Sequence, residues 1–327
     1  MKINKLNVAV TGGAGFIGSH LVDKLCGSNN VFVIDNFATG KRENLPANVQ
    51  ILEGDVRDLQ FLTKALRGVD VVFHLATHCV RLSLGEPGIN HEVNATGTLN
   101  TLMASQKNNV KRFVYCSSSE VYGNTQEAVL NEESPKLPTT IYGASKLVGE
   151  YYTIAFHQTY GLSGMVIRPF NTYGPRSHFF GPYGEVIPRF TIWIRAGKDV
   201  VVFGDGLQTR DFTYVTDTAR GLIEGAECDG LLGESVNLAH GEEISVLKIA
   251  ETLNELNGKL QKIKHIESRP GDIRRLGADI IKAKTLFGFQ AEVSIQDGLA
   301  SYLKWLDQYH HNYPELAQKL VEKNWLI

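Results

Sequence analysis

"VAVTGGAGFIGSHLVDKL", residues 8–25, sets Gly12, Gly15 and Gly18 between a short apolar run and a mixed stretch with apolar residues at helical spacing. The run reads as a strand and the stretch as a helix that begins almost at once. Glycines in such a strand–turn–helix keep the turn tight, let the backbone approach a pyrophosphate, and let helix and strand pack closely. The next apolar run, "VFVID" (31–35), ends at Asp35. A carboxylate about 20 residues beyond the glycine turn can accept hydrogen bonds from the adenosine ribose hydroxyls, and it repels a 2′-phosphate. No arginine follows directly: "NFAT" intervenes before Gly40, Lys41 and Arg42. The pattern therefore predicts NAD rather than NADP as cofactor.

Further apolar runs recur outward from this unit: "VDVVFHLA" (69–76), "KRFVYCSS" (111–118) and "GMVIRPF" (164–170). They are nearly continuous in Val, Ile and Phe, as strands buried on both faces of a parallel sheet are. Helical stretches such as "LQFLTKALRG" and "NATGTLNTLMASQKN" lie between them. Alternation of this kind predicts an α/β fold, a Rossmann-type doubly wound parallel sheet. After about residue 175 the texture changes. "NTYGPRSHFFGPYGEVIP" (171–188) is rich in Gly, Pro and aromatics and reads as a functional loop. Strand-like "DVVVFG" and helical "SVLKIAETLNELNG" and "IQDGLASYLKWLDQY" follow. The expected division is an NAD-binding domain over 1–175 and a smaller mixed α/β substrate-binding lobe over 176–327, with some elements exchanged.

Composition narrows the function. The 33 Lys and Arg nearly balance 35 Asp and Glu, for a net charge of −2. That balance makes no case for nucleic-acid or membrane binding, though a local basic pocket for one phosphorylated ligand is compatible with it. The four cysteines, Cys26, Cys79, Cys116 and Cys228, are scattered and form no C-x-x-C pair. No disulfide framework or structural zinc site is expected. His74 and His78 have the i, i+4 spacing of helical metal ligands, but His74 sits in a strand and no third ligand is evident, so no metal is expected. The amino-terminal stretch has no signal-peptide pattern, and no apolar run approaches the roughly 20 residues that span a bilayer. A cytoplasmic enzyme is the expectation.

The chemistry gathers in two places. "IYGASKLVGE" (141–150) puts Tyr142 and Lys146 four residues apart, on one face of a helix. An unperturbed tyrosine, with a pKa of about 10, is a poor base at neutral pH. A neighbouring ammonium and a cationic nicotinamide both favour its phenolate. Ser118, at the end of "KRFVYCSS", can share the proton transfer. Asp55, in "GDVRD" (54–58), follows a third strand and can reach the adenine amino group.

With these motifs in this order, the chain resembles the extended short-chain dehydrogenase/reductase family that modifies nucleotide sugars. The resemblance extends over nearly the whole chain, through "TGGAGFIG", "DNFATGKRENL", "GDVRD", "HLA", "SSSEVYG", "YGASK", "RPFNTYGPR", "VIPRF", "FGDGLQTRDFTYVTD" and "RPGDIRR". It implies that Gly12, Gly15, Phe16, Ile17, Gly18, Asp35 and Asn36 hold NAD. It implies the same for Asp55, Val56, Leu75 and Ala76, with Tyr142 and Lys146 at the nicotinamide ribose. Tyr142 would be the base and Ser118 its hydrogen-bonding partner. Asn171 would face the diphosphate of a nucleotide-diphosphate sugar, and Arg210 with Arg274 or Arg275 would clamp the phosphates or nucleotide, as a planar guanidinium fork can. In the family a serine closes the loop after "HLA". Here "THCVRLSLGEP" is one residue shorter, and Ser83 is the nearest match. A homodimer built on the Tyr142–Lys146 helix and the helix before it is also implied.

Members of the family share a first step, oxidation of the sugar at C4, and then diverge into 4-epimerases, 4,6-dehydratases and uronate decarboxylases. Related dehydratases carry Asp-Glu directly after the serine, whereas this chain has Ser119-Glu120. Decarboxylases carry Ser-Glu, while "QTRDF" and "RPGDIRRLGADIIKAKTLFGF" are more like the epimerases. The leading expectation is a UDP-sugar 4-epimerase. Decarboxylation or dehydration through Glu120 is the alternative, and a non-catalytic NAD-binding regulator the remote one.

Overall fold

A computed structural model describes residues 1–321, apart from 126, 128, 180–183, 259, 269–273 and 310–311. Part of the 171–188 segment and all of "RPGDIRR" before Arg274 lie outside the described residues.

The main sheet has seven parallel strands. Its strands are β1 (Asn7–Thr11), β2 (Asn30–Asp35), β3 (Gln50–Glu53), β4 (Val71–His74), β5 (Arg112–Cys116), β7 (Gly164–Pro169) and β12 (Ser235–Leu238). The order across the sheet is β12-β7-β5-β4-β1-β2-β3, so the sense in which successive strands are added reverses between β1 and β4. β4, β5 and β7 are buried at every residue, which is why their sequences are continuous apolar runs instead of alternations.

Helices cover both faces. On one, α1 (Phe16–Leu25) packs with α8 (Val215–Glu227), through Leu21, Val22 and Leu25 against a core that includes Ala219 and Leu222. On the other lie α2 (Leu59–Ala65), α5 (Gly97–Lys107) and α6 (Ile141–Tyr160), with Leu62, Leu66 and Leu102 in the core. The short helices α3 (Val80–Gly85) and α4 (Pro87–His91) carry the loop that follows β4.

The second lobe has its own core, built on α7 (Val186–Arg195), α9 (Val246–Leu256) and α11 (Ile295–Tyr309), with α10 (Ile281–Phe287) leading into α11. There β9 (Val200–Phe203) pairs with β14 (Ile263–Ile266). A four-stranded sheet runs β13 (Glu243–Ser245), β10 (Thr209–Asp211), β15 (Arg275–Ala278), β6 (Val129–Leu130), and β8 (Thr172–Tyr173) pairs with β11 (Thr213–Tyr214). The chain crosses between the lobes. β12 and α8, late in sequence, complete the main sheet and its cover, while early β6 joins the second sheet.

Candidate active site

Two connected hollows open at the carboxyl ends of the main-sheet strands, where ligands bind in open α/β sheets. The first, about 730 Å³, is lined by Gly12, Gly15, Phe16, Ile17 and Gly18 on one side and by Asp35, Asn36, Asp55 and Val56 on another. Leu75, Ala76, Tyr142 and Lys146 close it. All the residues expected to hold NAD thus line one cavity. The turn fits a pyrophosphate. α1 begins at Phe16 directly after Gly15, with no side chain capping its first amides, so the amides stay available to an anion. A Cβ on Gly18 would lie 2.2 Å from the Gly12 carbonyl oxygen, so only glycine lets the helix sit so close to the turn.

Asp35 is held at the end of β2 by amide hydrogen bonds from Ala14 (3.0 Å) and Phe37 (2.8 Å), which aim its carboxylate into the cavity. Burial raises its pKa, and those two amides oppose the shift. Asp55 accepts from Arg57 Nε at 2.9 Å and from Asn36 Nδ2 at 2.9 Å. The hydrogen bonds from the Arg57 side chain are the largest influence, and its pKa falls to about 2. These two carboxylates and the glycine turn suit an adenosine diphosphate with an unphosphorylated ribose.

The second hollow, about 420 Å³, reaches from Ser118, Glu120 and Tyr142 past Asn171, just beyond β7, to Arg189, Gln208 and Arg210 in the other lobe. Tyr142, Ser117, Cys79, Arg81 and Glu185 line both hollows and mark their junction. Local sequence explains the placement of the reactive groups. Thr140 caps α6 by accepting from the Gly143 amide at 3.0 Å, which starts the helix one residue before Tyr142. A Cβ on Gly143 would stand 2.5 Å from the Glu120 carbonyl oxygen, so α6 rests directly on the turn that follows β5. Ser118 caps that turn (Ser119–Val121), accepting from the Glu120 amide at 3.2 Å.

Burial is the largest influence on Tyr142 and raises its pKa, while a hydrogen bond with Ser118 lowers it. Lys146 is buried and donates to the Cys116 carbonyl at 2.9 Å, with Nζ 5.9 Å from the centre of the Tyr142 ring. Desolvation pushes Lys146 down to about 8, which leaves it an ammonium near neutrality. The phenol therefore needs the positive charges around it to become a base.

Other expected residues fall elsewhere. Ser83 is buried within α3, where its hydroxyl donates to the Val80 carbonyl at 2.6 Å, and it is not part of the cleft lining. Its neighbour Arg81 takes that place. Arg274 and Arg275 are exposed and paired away from the cleft, Arg274 with Asp205 at 2.8 Å and Arg275 with Glu243 at 2.5 Å. Arg210 does line the cleft, as does Asn171, whose Oδ1 is buried without a hydrogen-bond partner and so available to a ligand. The sequence reading also missed the Arg81–Glu185 pair (3.2 Å). Arg81 lies in the shortened loop and Glu185 in the aromatic loop, and only the fold brings them together. His74 hydrogen-bonds Thr11 and Thr98 within the core, and among the described residues no cluster of His, Cys, Asp and Glu is placed to hold a metal.

A glycine-turn dinucleotide cleft that meets a Ser–Tyr–Lys site on a doubly wound sheet defines an extended short-chain dehydrogenase/reductase. Within that class, residues 8–239 match the model of the NAD dependent epimerase/dehydratase family, and the chain belongs to this family. The chain is similar to UDP-N-acetylglucosamine 4-epimerase from Methanobrevibacter ruminantium M1, solved in complex with UDP-N-acetylmuramic acid. The two are 37% identical, with a TM-score of 0.90, over 95% of this chain and 100% of that one. UDP-glucuronic acid 4-epimerase from Bacillus cereus, solved with UDP-glucuronic acid and NAD, is 32% identical with a TM-score of 0.87, over 93% and 100% of the two chains. The UDP-N-acetyl-alpha-D-glucosaminuronate decarboxylase of Bacillus cytotoxicus is 33% identical over 94% of this chain and 100% of its own. The enzyme is NAD-dependent, and no helix among the described residues is long and apolar enough to cross a membrane.

Proposed function

We propose that the protein is a UDP-sugar 4-epimerase. The observation that carries this reading is the chemistry beside Tyr142. Ser119 stands where a 4,6-dehydratase would need an acid, and the cleft already holds the two carboxylates Glu120 and Glu185. The guanidinium of Arg81 is engaged by Glu185 at 3.2 Å. A 4-epimerase needs no acid at position 119 and no group beyond Ser118, Tyr142 and Lys146, which the junction of the two hollows supplies.

In this mechanism Tyr142, as phenolate, takes the proton of the sugar 4-hydroxyl, with Ser118 sharing the hydrogen bond. NAD, held by Gly12, Gly15, Gly18, Asp35 and Lys146, would supply the redox chemistry at C4 when bound. Lys146 stabilises the phenolate through its charge and holds the nicotinamide ribose. Asn171 and Arg210 retain the nucleotide diphosphate while the 4-keto sugar turns over. Tyr142 then gives the proton back to the oxygen at C4, now on the other face, so the cycle closes without net oxidation. A second copy of the chain packs against α5 and α6, where Met103, Tyr151 and Tyr160 are 41%, 60% and 59% exposed. A cytoplasmic setting belongs to the same reading.

The test is incubation with UDP-glucose, UDP-N-acetylglucosamine, UDP-glucuronate and dTDP-glucose, with products followed by mass and NMR. An epimer of unchanged mass is expected. Loss of carbon dioxide from the glucuronate would favour the second reading, decarboxylation, for which Glu120 is the specific observation; loss of water would favour dehydration. Glu120→Gln should keep most of the turnover, and abolished turnover with NAD still bound would contradict the epimerase reading.

A further inference from the structure

Tyr142, Lys146 and Glu150 stand at i, i+4 and i+8 along α6, one stripe over the carboxyl ends of β5 and β7. The first two belong to the reaction described above; Glu150 has no part in it. Its carboxylate is 2% exposed, and so is Arg168 of β7. The two form a bidentate pair, Nε to Oε1 at 2.8 Å and Nη2 to Oε2 at 2.7 Å. Ser117 Oγ donates to the same carboxylate at 2.5 Å. Arg168 Nη1 donates to Tyr122 Oη at 2.9 Å, and Tyr122 donates to Asn237 Oδ1 at 2.7 Å. The network therefore ties α6, β5, β7 and β12 together directly beneath Ser118. Buried ion pairs rarely out-stabilise a packed apolar core, and their best-attested use is to specify one arrangement. Here the arrangement specified is that of the strand end next to the base.

We propose that Glu150 is a positioning residue: it fixes Ser118 through Ser117 and sets its negative charge one helical turn from the Lys146 ammonium. This rests on the assignment of Tyr142, Lys146 and Ser118 to the reaction. Desolvation lowers Lys146, and Cys116 and Glu150 oppose it. Lys146 also faces Tyr115 from β5, His74 from β4 and Tyr142 on its own helix. Beside Arg168, the groups facing Glu150 are Tyr115 and Lys136. Glu150 is the carboxylate among the groups that raise the pKa of Lys146. Removing its charge moves the alkaline limb of activity, at which Lys146 loses its proton, to lower pH.

The experiment compares wild type, Glu150→Gln and Ser117→Ala as NAD-containing enzymes. Bound NAD and thermal midpoint are measured beside the pH dependence of kcat/KM for UDP-N-acetylglucosamine. Glutamine keeps an acceptor for Ser117 but not the charge, so the alkaline limb should fall by about one pH unit. Ser117→Ala leaves the ion pair intact, and its kcat should drop about tenfold at unchanged KM and unchanged pH profile. A folded Glu150→Gln whose profile superimposes on wild type after scaling overturns the proposal. So does a Ser117→Ala kcat within about twofold of wild type, which decides the matter should Glu150→Gln fail to fold. Tyr142→Phe, run alongside, must be inactive; if it turns over, the assignment of the base fails, whatever Glu150 does.

Discussion

Replacing Lys146 with methionine removes a buried ammonium whose Nζ lies 5.9 Å from the centre of the Tyr142 ring. At an effective dielectric of about 20, two unit charges about 6 Å apart interact by about 3 kcal/mol, or about two pKa units. The phenol, already raised by burial, would rise by that much more. The fraction present as base near neutrality then falls about 100-fold, and kcat/KM with it. The assay is UDP-sugar epimerisation followed by NMR across pH, with bound NAD measured in each sample because Lys146 also lines the cofactor cavity. The diagnostic result is a shape: Lys146→Met should gain rate steadily with rising pH over a range in which the wild type is level. A loss below about threefold at neutral pH, or a profile parallel to wild type with NAD fully bound, would refute the electrostatic role.

Two glycine substitutions separate the cofactor site from the reactive site. Gly18→Ala places a Cβ 2.2 Å from the Gly12 carbonyl oxygen, where both sides are backbone and neither can turn away. The protein should fold yet purify with less than about a tenth of the wild-type NAD, read by releasing and quantifying the nucleotide. Gly143→Ala puts its Cβ 2.5 Å from the Glu120 carbonyl oxygen and must lift α6 off the turn that holds Ser118. Its bound NAD should stay near the wild-type level while kcat falls about 100-fold, the cost of displacing a base by about 1 Å.

Much of this site was legible because it is local. The turn at Gly12–Gly18, Asp35 at the end of β2, and Tyr142 with Lys146 on one helix each depend on chain geometry over a few residues. Ser118 was readable as a candidate for the same reason, as the polar end of a buried strand. What escaped depends on contacts between distant segments. Arg81 and Glu185 are 104 residues apart, and Glu150 reads as an ordinary helical carboxylate until β7 brings Arg168 against it. Arg274 or Arg275 was expected at the phosphates or nucleotide by analogy of motif. The fold instead gives each an acidic partner on the surface. Ser83 lies outside the cleft lining through helical phase: in a loop whose length differs, Arg81 and Leu82 face the hollows while Ser83 turns inward. The second sheet was not readable either, since β6 and β10 are too short to show periodicity and pair with a strand far along the chain.

The central claim is that C4 of the sugar is oxidised and then reduced again at the same carbon. The UDP-sugar that is turned over, deuterated at C4 and incubated with the NAD-containing enzyme, tests this directly. The account predicts an epimer of unchanged mass that retains the deuterium at C4, with none exchanged to solvent. Deuterium found at C6 with loss of water, or lost to solvent, would contradict it.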